Sequence, residues 1–585
     1  MKSFSCLISS FSSLSILALG LIANLPAAQN DEETYELPPE SSVQHGVPVG
    51  RVEGPFDLAS QVFPGTERKY WIYIPAQYDA EKPTPVMIVQ DGLNRAQDWR
   101  LPQVLDNLIH SEEVPVQIGI FVEPGVVPPF KEGAQPRFNR SFEYDSLGDR
   151  YARFLLEELI PVVARNYNIS TDPNDRALAG ASSGGICAFN AAWERPDQFR
   201  RILSTIGTYV GLRGGNQVAS LVRKTEPKPL RIFLQDGSRD LDLYPGDWWI
   251  ANQDMLSALE FAGYEVNHQW GTGGHNGQHA AAIMPQALRW LWKDYPQPIK
   301  AAVKPVGEQR IDILLPGSAW TQVSSGHEQV EAPACSGTGE FFFSDSRAGR
   351  IFRVGDDGKT RIFAEEAGRI SSMSFGPKGN LYACRDGKQI VRFSPSGEQL
   401  VVLDDISCQS IVTMPDGFFF TDPAMPSIEF CPYDGNPQRV SLLTQNLAGL
   451  VPTADHAFMH LVQLHSPFTS HARLGEAHQL DYRQPFGFLH LPYGELSAGA
   501  TGATVDANGN FYVATKVGVQ VMDQLGRVNV ILSKPSTMDI TGISFGGSGR
   551  DLLYVTCRDT VYRRQLGTRG IGSFETPVIP PKPRL

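Results

Sequence analysis

Cysteine is scarce in this chain of 585 residues and never closely spaced: the seven are Cys6, Cys187, Cys335, Cys384, Cys408, Cys431 and Cys557. Without a C-x-x-C pair, a zinc site built on cysteine is excluded. A surplus of positive charge is also missing. Lys and Arg number 51 against 63 Asp and Glu, a formal net charge of -12, and no basic tract makes a local exception. Nothing here attracts a phosphate backbone, so nucleic acid is not an expected partner. Nor is there an apolar run long enough to span a bilayer comfortably. The best is Leu14 to Leu25, preceded by Lys2 and a serine-rich stretch and followed by Pro26, Ala27 and Ala28. That pattern reads as a signal peptide over residues 1–28 and implies a secreted or periplasmic protein with no stable membrane insertion after cleavage. Pro26, beside the cleavage position, keeps an uncleaved anchor as the alternative.

A chain this long exceeds what one core supports, which predicts two domains of about 200–300 residues each. Residues 46–295 alternate short apolar runs with amphipathic stretches. "RKYWIYIP" (68–75), "PVMIVQDG" (85–92), "VQIGIFVEPG", "RALAG" and "LRIFLQDG" read as strands. "DRYARFLLEELIPVVARNY" (149–167) puts Tyr151, Phe154, Leu155, Leu159 and Val162 on one helical face, with a kink at Pro161. The expected class is α/β, a mostly parallel sheet with helices on both faces. Residues 296–310, in a proline-rich stretch without periodicity, read as a linker or a strapped surface segment.

Over residues 311–570 the rhythm changes. Aromatic-rich β runs begin at "GEFFFSDSRAGRIFRV" (339–354) and return at 379, 417, 456, 509 and 550. Their spacing of roughly 40 residues, longer around the fourth, is that of four-stranded propeller blades, and six blades close a disc. An irregular β-sandwich is the alternative, but sandwiches lack such recurrence. Residues 571–585 form a proline-rich tail.

The chemistry centres on "LAGASSGGICAF" (178–189), which places Ser182 in a G-x-S-x-G string. Alone the string is weak, and "GISFG" (542–546) matches it too. There Ser544 sits in a β run with no helix behind it, so no nucleophile-exposing turn can form. Around Ser182 a buried strand leads in and a helix with Ile186, Phe189 and Trp193 leads out, the context a strained nucleophile elbow needs. Cys187, one turn into that helix, reads as a small core residue. A serine needs a base, and the base needs an orienting carboxylate, in the chain order serine, acid, histidine. Asp236, Asp240 and Asp242 follow a strand. Asp236 sits in the tight turn and is read as shaping it; Asp240 is the favoured acid and Asp242 the alternative. Among His268, His275 and His279, His275 occupies a glycine-rich loop after a strand and is the favoured base, His279 being equally suited to cap the next helix. Oxyanion donors are expected from Ser183 and from Gly92 and Leu93. "YPGDWW" (244–249) offers aromatic rings to a sugar or phenolic substrate.

"RKYWIYIP", "VQDG", "RSFEYD", "FLLEELIPVV", "GASSGG", "LQDGSRDLD" and "GGHNGQH" together resemble the enterochelin-esterase-like branch of the α/β-hydrolases, which overlaps carbohydrate esterases such as feruloyl and acetyl esterases. The resemblance implies Ser182 as nucleophile, His275 as base and an acid within 240–242, with Arg140 and Glu143 in a stretch near the site. The second half, through "EAPACSGTGEFFFSD", "DGFFFTDP" and "VDANGNFYVATKVGVQVMD", resembles the gluconolactonase and regucalcin propellers. That family holds a divalent metal at the disc centre with a glutamate, an asparagine and an aspartate. Glu331 matches the glutamate, but Ala448 and Thr501 stand at the other two positions, and Gln409 and Ser410 at a further asparagine and aspartate. One carboxylate cannot hold such an ion tightly, so no metal or cofactor is expected and Glu331 is a vestige. The resulting expectation is a secreted serine esterase for a small-molecule or carbohydrate ester, feruloyl, acetyl or siderophore-like, with the propeller as a binding module. The alternative is a metal-dependent sugar lactonase in the propeller.

Overall fold

The computed structural model describes residues 34–355, 357–424, 426–442 and 446–583; the expected signal peptide falls outside them. Strands buried on both faces need unbroken apolar runs. Those at Val86–Gln90, Ile118–Val122, Arg176–Ala181, Arg201–Thr205 and Arg231–Gly237 are buried along their whole length. With Glu265–Gly271 they make a parallel core, ordered Glu265–Gly271, Arg231–Gly237, Arg201–Thr205, Arg176–Ala181, Val86–Gln90, Ile118–Val122. The antiparallel strands Glu67–Ile74 and Arg51–Ala59 extend one side of this ten-stranded sheet.

Helices cover both faces. One apolar layer packs Tyr151, Phe154 and Phe189 against Ile88 and Ile202; the other packs Trp99, Leu105 and Leu288 against Val89 and Phe233. The helix expected over 149–167 buries Tyr151, Phe154, Leu155 and Leu159. Its winding loosens to a π turn at Leu155–Leu159, just before Pro161, which has no N–H to give an α-helical bond.

Residues 296–310 lie against this lobe. Ile299 is buried, and the N–H groups of Val306 and Gly307 both donate to the Phe261 carbonyl at 3.0 Å.

Six four-stranded antiparallel sheets follow as a propeller. The recurring aromatic runs are the second strands in the order across each blade, at Phe341–Asp345, Leu381–Arg385, Gly417–Asp422, Phe458–Gln463, Phe511–Thr515 and Leu552–Cys557. Thr321–Ser325, the first strand of this half, pairs with Thr560–Gln565 in the last blade, so the ring is fastened by its own two ends. The longer spacing around the fourth run is taken up by the nine-residue strand Leu480–Phe488 and the loop 489–501. That loop meets the first lobe: Ser146 Oγ bonds Tyr493 Oη at 3.3 Å, and Lys224 Nζ lies 3.1 Å from His490 Nε2. Beside it the Glu226 N–H donates to the Ile531 carbonyl at 3.1 Å, and the Glu226 carboxylate pairs with Arg564 at 2.5 Å.

Candidate active site

Four loops at the carboxyl ends of parallel strands converge on Ser182. The strand Arg176–Ala181 runs straight into the helix Ser183–Glu194, and Ser182 takes the turn between them with φ 59° and ψ -123°. For a residue with a Cβ that conformation is strained by about 1–3 kcal/mol. It is held by bonds on both sides: Ser182 N–H to the Thr205 carbonyl at 2.9 Å, and the Gly185 and Thr208 N–H groups to the Ser182 carbonyl at 2.9 and 3.2 Å. The flanking glycines are a steric requirement, since a Cβ on Gly180 would lie 2.2 Å from the Gly184 carbonyl oxygen and one on Gly185 2.7 Å from Ser204 Oγ. The Ser182 side chain ends half-buried at the sheet edge.

Ser182 Oγ is 2.8 Å from His275 Nε2, and His275 Nδ1 is 2.5 Å from Asp240 Oδ1. Thr208 Oγ1 stands 3.3 Å from the serine oxygen. His275 is brought in by the loop after Glu265–Gly271, Asp240 by the turn after Arg231–Gly237. The two loops are stitched by backbone bonds from Ser238 to Gly271 at 2.9 Å and from Arg239 to Gly273 at 3.2 Å. The Asp240 side chain is wholly buried while His275 keeps 20% of its side chain in solvent. Burial acts to raise the Asp240 pKa, but hydrogen bonds from His275 and Asp236 outweigh it and hold the carboxyl below its ordinary value.

Asp242 is exposed in a two-residue ribbon paired with Asp247, and the carboxylate bonded to the imidazole is that of Asp240. His279 is buried in the helix Gln278–Leu291, 3.2 Å from Gln235, and stacks on Tyr35 at 4.3 Å. His268 lies in its strand beside Trp270. Ser544 sits mid-strand in Gly542–Gly546 of the last blade. Cys187 is fully buried, and desolvation pushes its thiol well above its ordinary value, which keeps it neutral.

Gly92 and Leu93 begin the short helix Gly92–Asp98. The preceding residue, Asp91, lies against the elbow helix: a Cβ on Gly184 would be 3.2 Å from Asp91 Oδ2. Arg140 clamps Asp91 with bonds of 2.6 and 2.9 Å. Glu143, on the same short helix as Arg140, is buried against Arg68 at 2.6 Å and also accepts from Asn139 Nδ2 at 3.0 Å and from the Gly125 N–H at 3.1 Å.

One support is invisible in the sequence, and a second lies within the aromatic stretch 244–249. Tyr35, far upstream, accepts the N–H bonds of Thr272 and Gly273 at 3.1 Å each and so braces the histidine loop. Trp248 lies edge-on to His275 at 5.9 Å and donates to Thr208 Oγ1 at 3.2 Å. The rings of "YPGDWW" are therefore divided: Trp248 is buried, Trp249 packs on Trp270, and Tyr244 is 93% exposed.

A cavity of about 730 Å³ lies in the propeller. Glu331, Gln409, Ser410, Ala448 and Thr501 all line it, as their matched positions require. Glu331 Oε1 is buried there without a hydrogen-bond donor. Among the described residues no three His, Cys, Asp or Glu gather into a metal-binding cluster. One carboxylate among hydroxyls, an amide and an alanine does not fit a tightly held divalent ion.

A parallel sheet with a strained serine elbow at its carboxyl edge is the arrangement found in α/β-hydrolases. Residues 60–312 match the model of the Esterase family, described as putative esterase. The iron(III) enterobactin esterase of Dickeya dadantii is 25% identical over 248 residues, covering 38% of this chain and 52% of that protein. The endo-1,4-beta-xylanase/feruloyl esterase of Xylanibacter ruminicola is 24% identical over 180 residues, covering 29% and 22%. The chain thus spans about half the length of the first relative and about a fifth of the second. Among solved structures, a gluconolactonase of Xanthomonas campestris aligns with a TM-score of 0.38 at 19% identity, over 43% of this chain and 90% of that one. No helix among the described residues is long and apolar enough to cross a membrane.

Proposed function

We propose that this chain is an exported serine esterase. Ser182 attacks the ester carbonyl while His275 takes its proton and passes it to the leaving alcohol; Asp240 holds the imidazole in the required tautomer and balances its charge. Water then repeats the sequence on the acyl-enzyme. The Ser183 N–H, with that of Gly92 or Leu93, receives the oxyanion. The observation that carries this reading is the unbroken 2.8 and 2.5 Å chain from Ser182 through His275 to Asp240, at the carboxyl edge of the sheet. Export is supported by the signal-like stretch over 1–28. The names of the relatives support a carbohydrate-linked aromatic ester or a siderophore-like ester as substrate. A fluorophosphonate probe should label the wild type and not Ser182→Ala, and a panel of feruloylated, acetylated and aliphatic esters should rank the first above the last. Failure of the wild type to label would refute the reading. Chelator should leave turnover unchanged, because no step uses a metal.

The propeller serves as a binding module that walls one side of the site. The loops ending at Tyr493 support this. Ser146 is six residues beyond Arg140, which clamps Asp91. Gly214 is six residues beyond Thr208, and a Cβ there would meet Tyr493 at 3.8 Å. Tyr493→Ala is expected to raise KM for a bulky ester about 5- to 20-fold, the worth of one lost aromatic contact, and to leave p-nitrophenyl acetate unaffected. Equal KM changes for both esters would remove the propeller from substrate binding.

A further inference from the structure

Asp236 is the penultimate residue of the strand Arg231–Gly237 and is fully buried. Its Oδ1 accepts the Gly237 N–H at 2.7 Å, but its Oδ2 meets no N–H or hydroxyl donor. Asp240 lies across the same turn, which is closed by its own N–H to the Gly237 carbonyl at 3.0 Å. Its Oδ1 serves His275 and the Leu241 N–H, the latter at 2.6 Å, and its Oδ2 is likewise buried without such a donor. The two carboxyl groups act on each other across the turn, and neither buried Oδ2 has another partner. Two carboxylates in such contact cannot both be ionised. A single proton resolves the conflict, because a neutral acid at one position donates to the anion at the other.

We propose that Asp236 is a positioning residue for ester hydrolysis, a buried neutral carboxylic acid whose Oδ2–H clamps Asp240 Oδ2 and fixes the carboxylate in the plane where it receives His275. This rests on the serine-esterase reading of the site. The proton belongs on Asp236 because Asp240 is the partner bonded to the imidazole. Burial first, then the hydrogen bond to Asp240 and its charge, push Asp236 up to about 9. The groups facing it are Asp240 from its own turn and the Asn252 amide from the helix Trp248–Ala262, with His275 beyond Asp240. On the strand's other face, Gln235 meets His279. Above about pH 9 the turn holds two adjacent anions, and the carboxylate loses its clamp.

The variants Asp236→Asn and Asp236→Ala separate this role from turn-shaping. Asparagine can still accept from Gly237 and donate to Asp240, with nothing to titrate. Wild-type kcat should fall above about pH 9. Asp236→Asn should keep neutral-pH kcat within about threefold and lose that alkaline limb, whereas Asp236→Ala should lose about 10- to 100-fold in kcat with KM nearly unchanged. Melting gives a readout independent of turnover. A folded pKa raised above the ordinary carboxyl value contributes stability that is complete below about pH 4 and is lost as pH rises to about 9. The wild type should therefore melt progressively lower relative to Asp236→Asn across that window. Parallel melting curves with a shared alkaline limb would overturn the proposal, as would an Asp236→Ala enzyme at full kcat. The melting difference without any ester turnover would instead sink the esterase reading and leave the shared proton standing.

Discussion

Ser182→Ala is expected to cut kcat for a p-nitrophenyl ester by about four orders of magnitude or more, with KM little changed, and His275→Ala to do the same. A serine hydroxyl is nearly inert at its own pKa, so its reactivity comes from the 2.8 Å bond to His275, and the base is useless without the oxygen it serves. Two residues acting as one unit cannot be removed twice. The double variant should therefore be no slower than either single one, and that non-additivity is the sharper test. A single-variant loss of tenfold or less, or a double variant slower by the product of the two losses, would take the chemistry away from this pair. Both variants should remain folded: alanine accepts the φ 59° turn at much the same strain as serine, and the Ser182 backbone bonds to Thr205 and Thr208 do not involve the side chain.

Residue order and local pattern made the α/β lobe, the six blades and the pairing of Ser182 with His275 legible, because each is signalled locally. A strand buried on both faces shows as a run such as "VMIVQ", an elbow as glycines either side of a serine, a blade as a recurring aromatic β run. What stayed hidden are contacts whose sequence distance carries no signal. Tyr35 braces a loop more than two hundred residues away, and its ring looks like any other aromatic residue. The loop 489–501 showed only as an irregularity in blade spacing, yet that surplus length is what reaches Ser146 and Lys224.

Asp236 illustrates a different gap. Its place beside a turn glycine supports a local, turn-shaping role, which the Gly237 bond satisfies. Its second oxygen is buried without a donor, as is the second oxygen of Asp240, and only side-chain placement shows this. Similarly, "YPGDWW" identified an aromatic cluster at the site, but which ring turns inward depends on Thr208 and His275 being there to meet Trp248.

Replacing either member of the Arg68–Glu143 pair by alanine is expected to lower the stability of the esterase lobe by about 3–5 kcal/mol, since a buried charge is left unpaired. For a lobe of this size the melting temperature should drop by about 6–20 °C. Both side chains are wholly buried and joined at 2.6 Å. Each is further committed, Arg68 over the Phe154 ring at 4.1 Å and Glu143 to Asn139 and Gly125. Paired replacement, Arg68→Met with Glu143→Leu, should recover most of the loss, because it removes both desolvated charges and keeps the volume. The functional consequence follows from the chain. Glu143 and Arg140 share the five-residue helix Arg140–Tyr144, and Arg140 holds Asp91 next to Gly92. Glu143→Ala should therefore reduce kcat/KM as well as stability, even though Glu143 touches no triad side chain. Loss of stability with unchanged kcat/KM would mean that the Asp91 clamp stands without the ion pair beneath it.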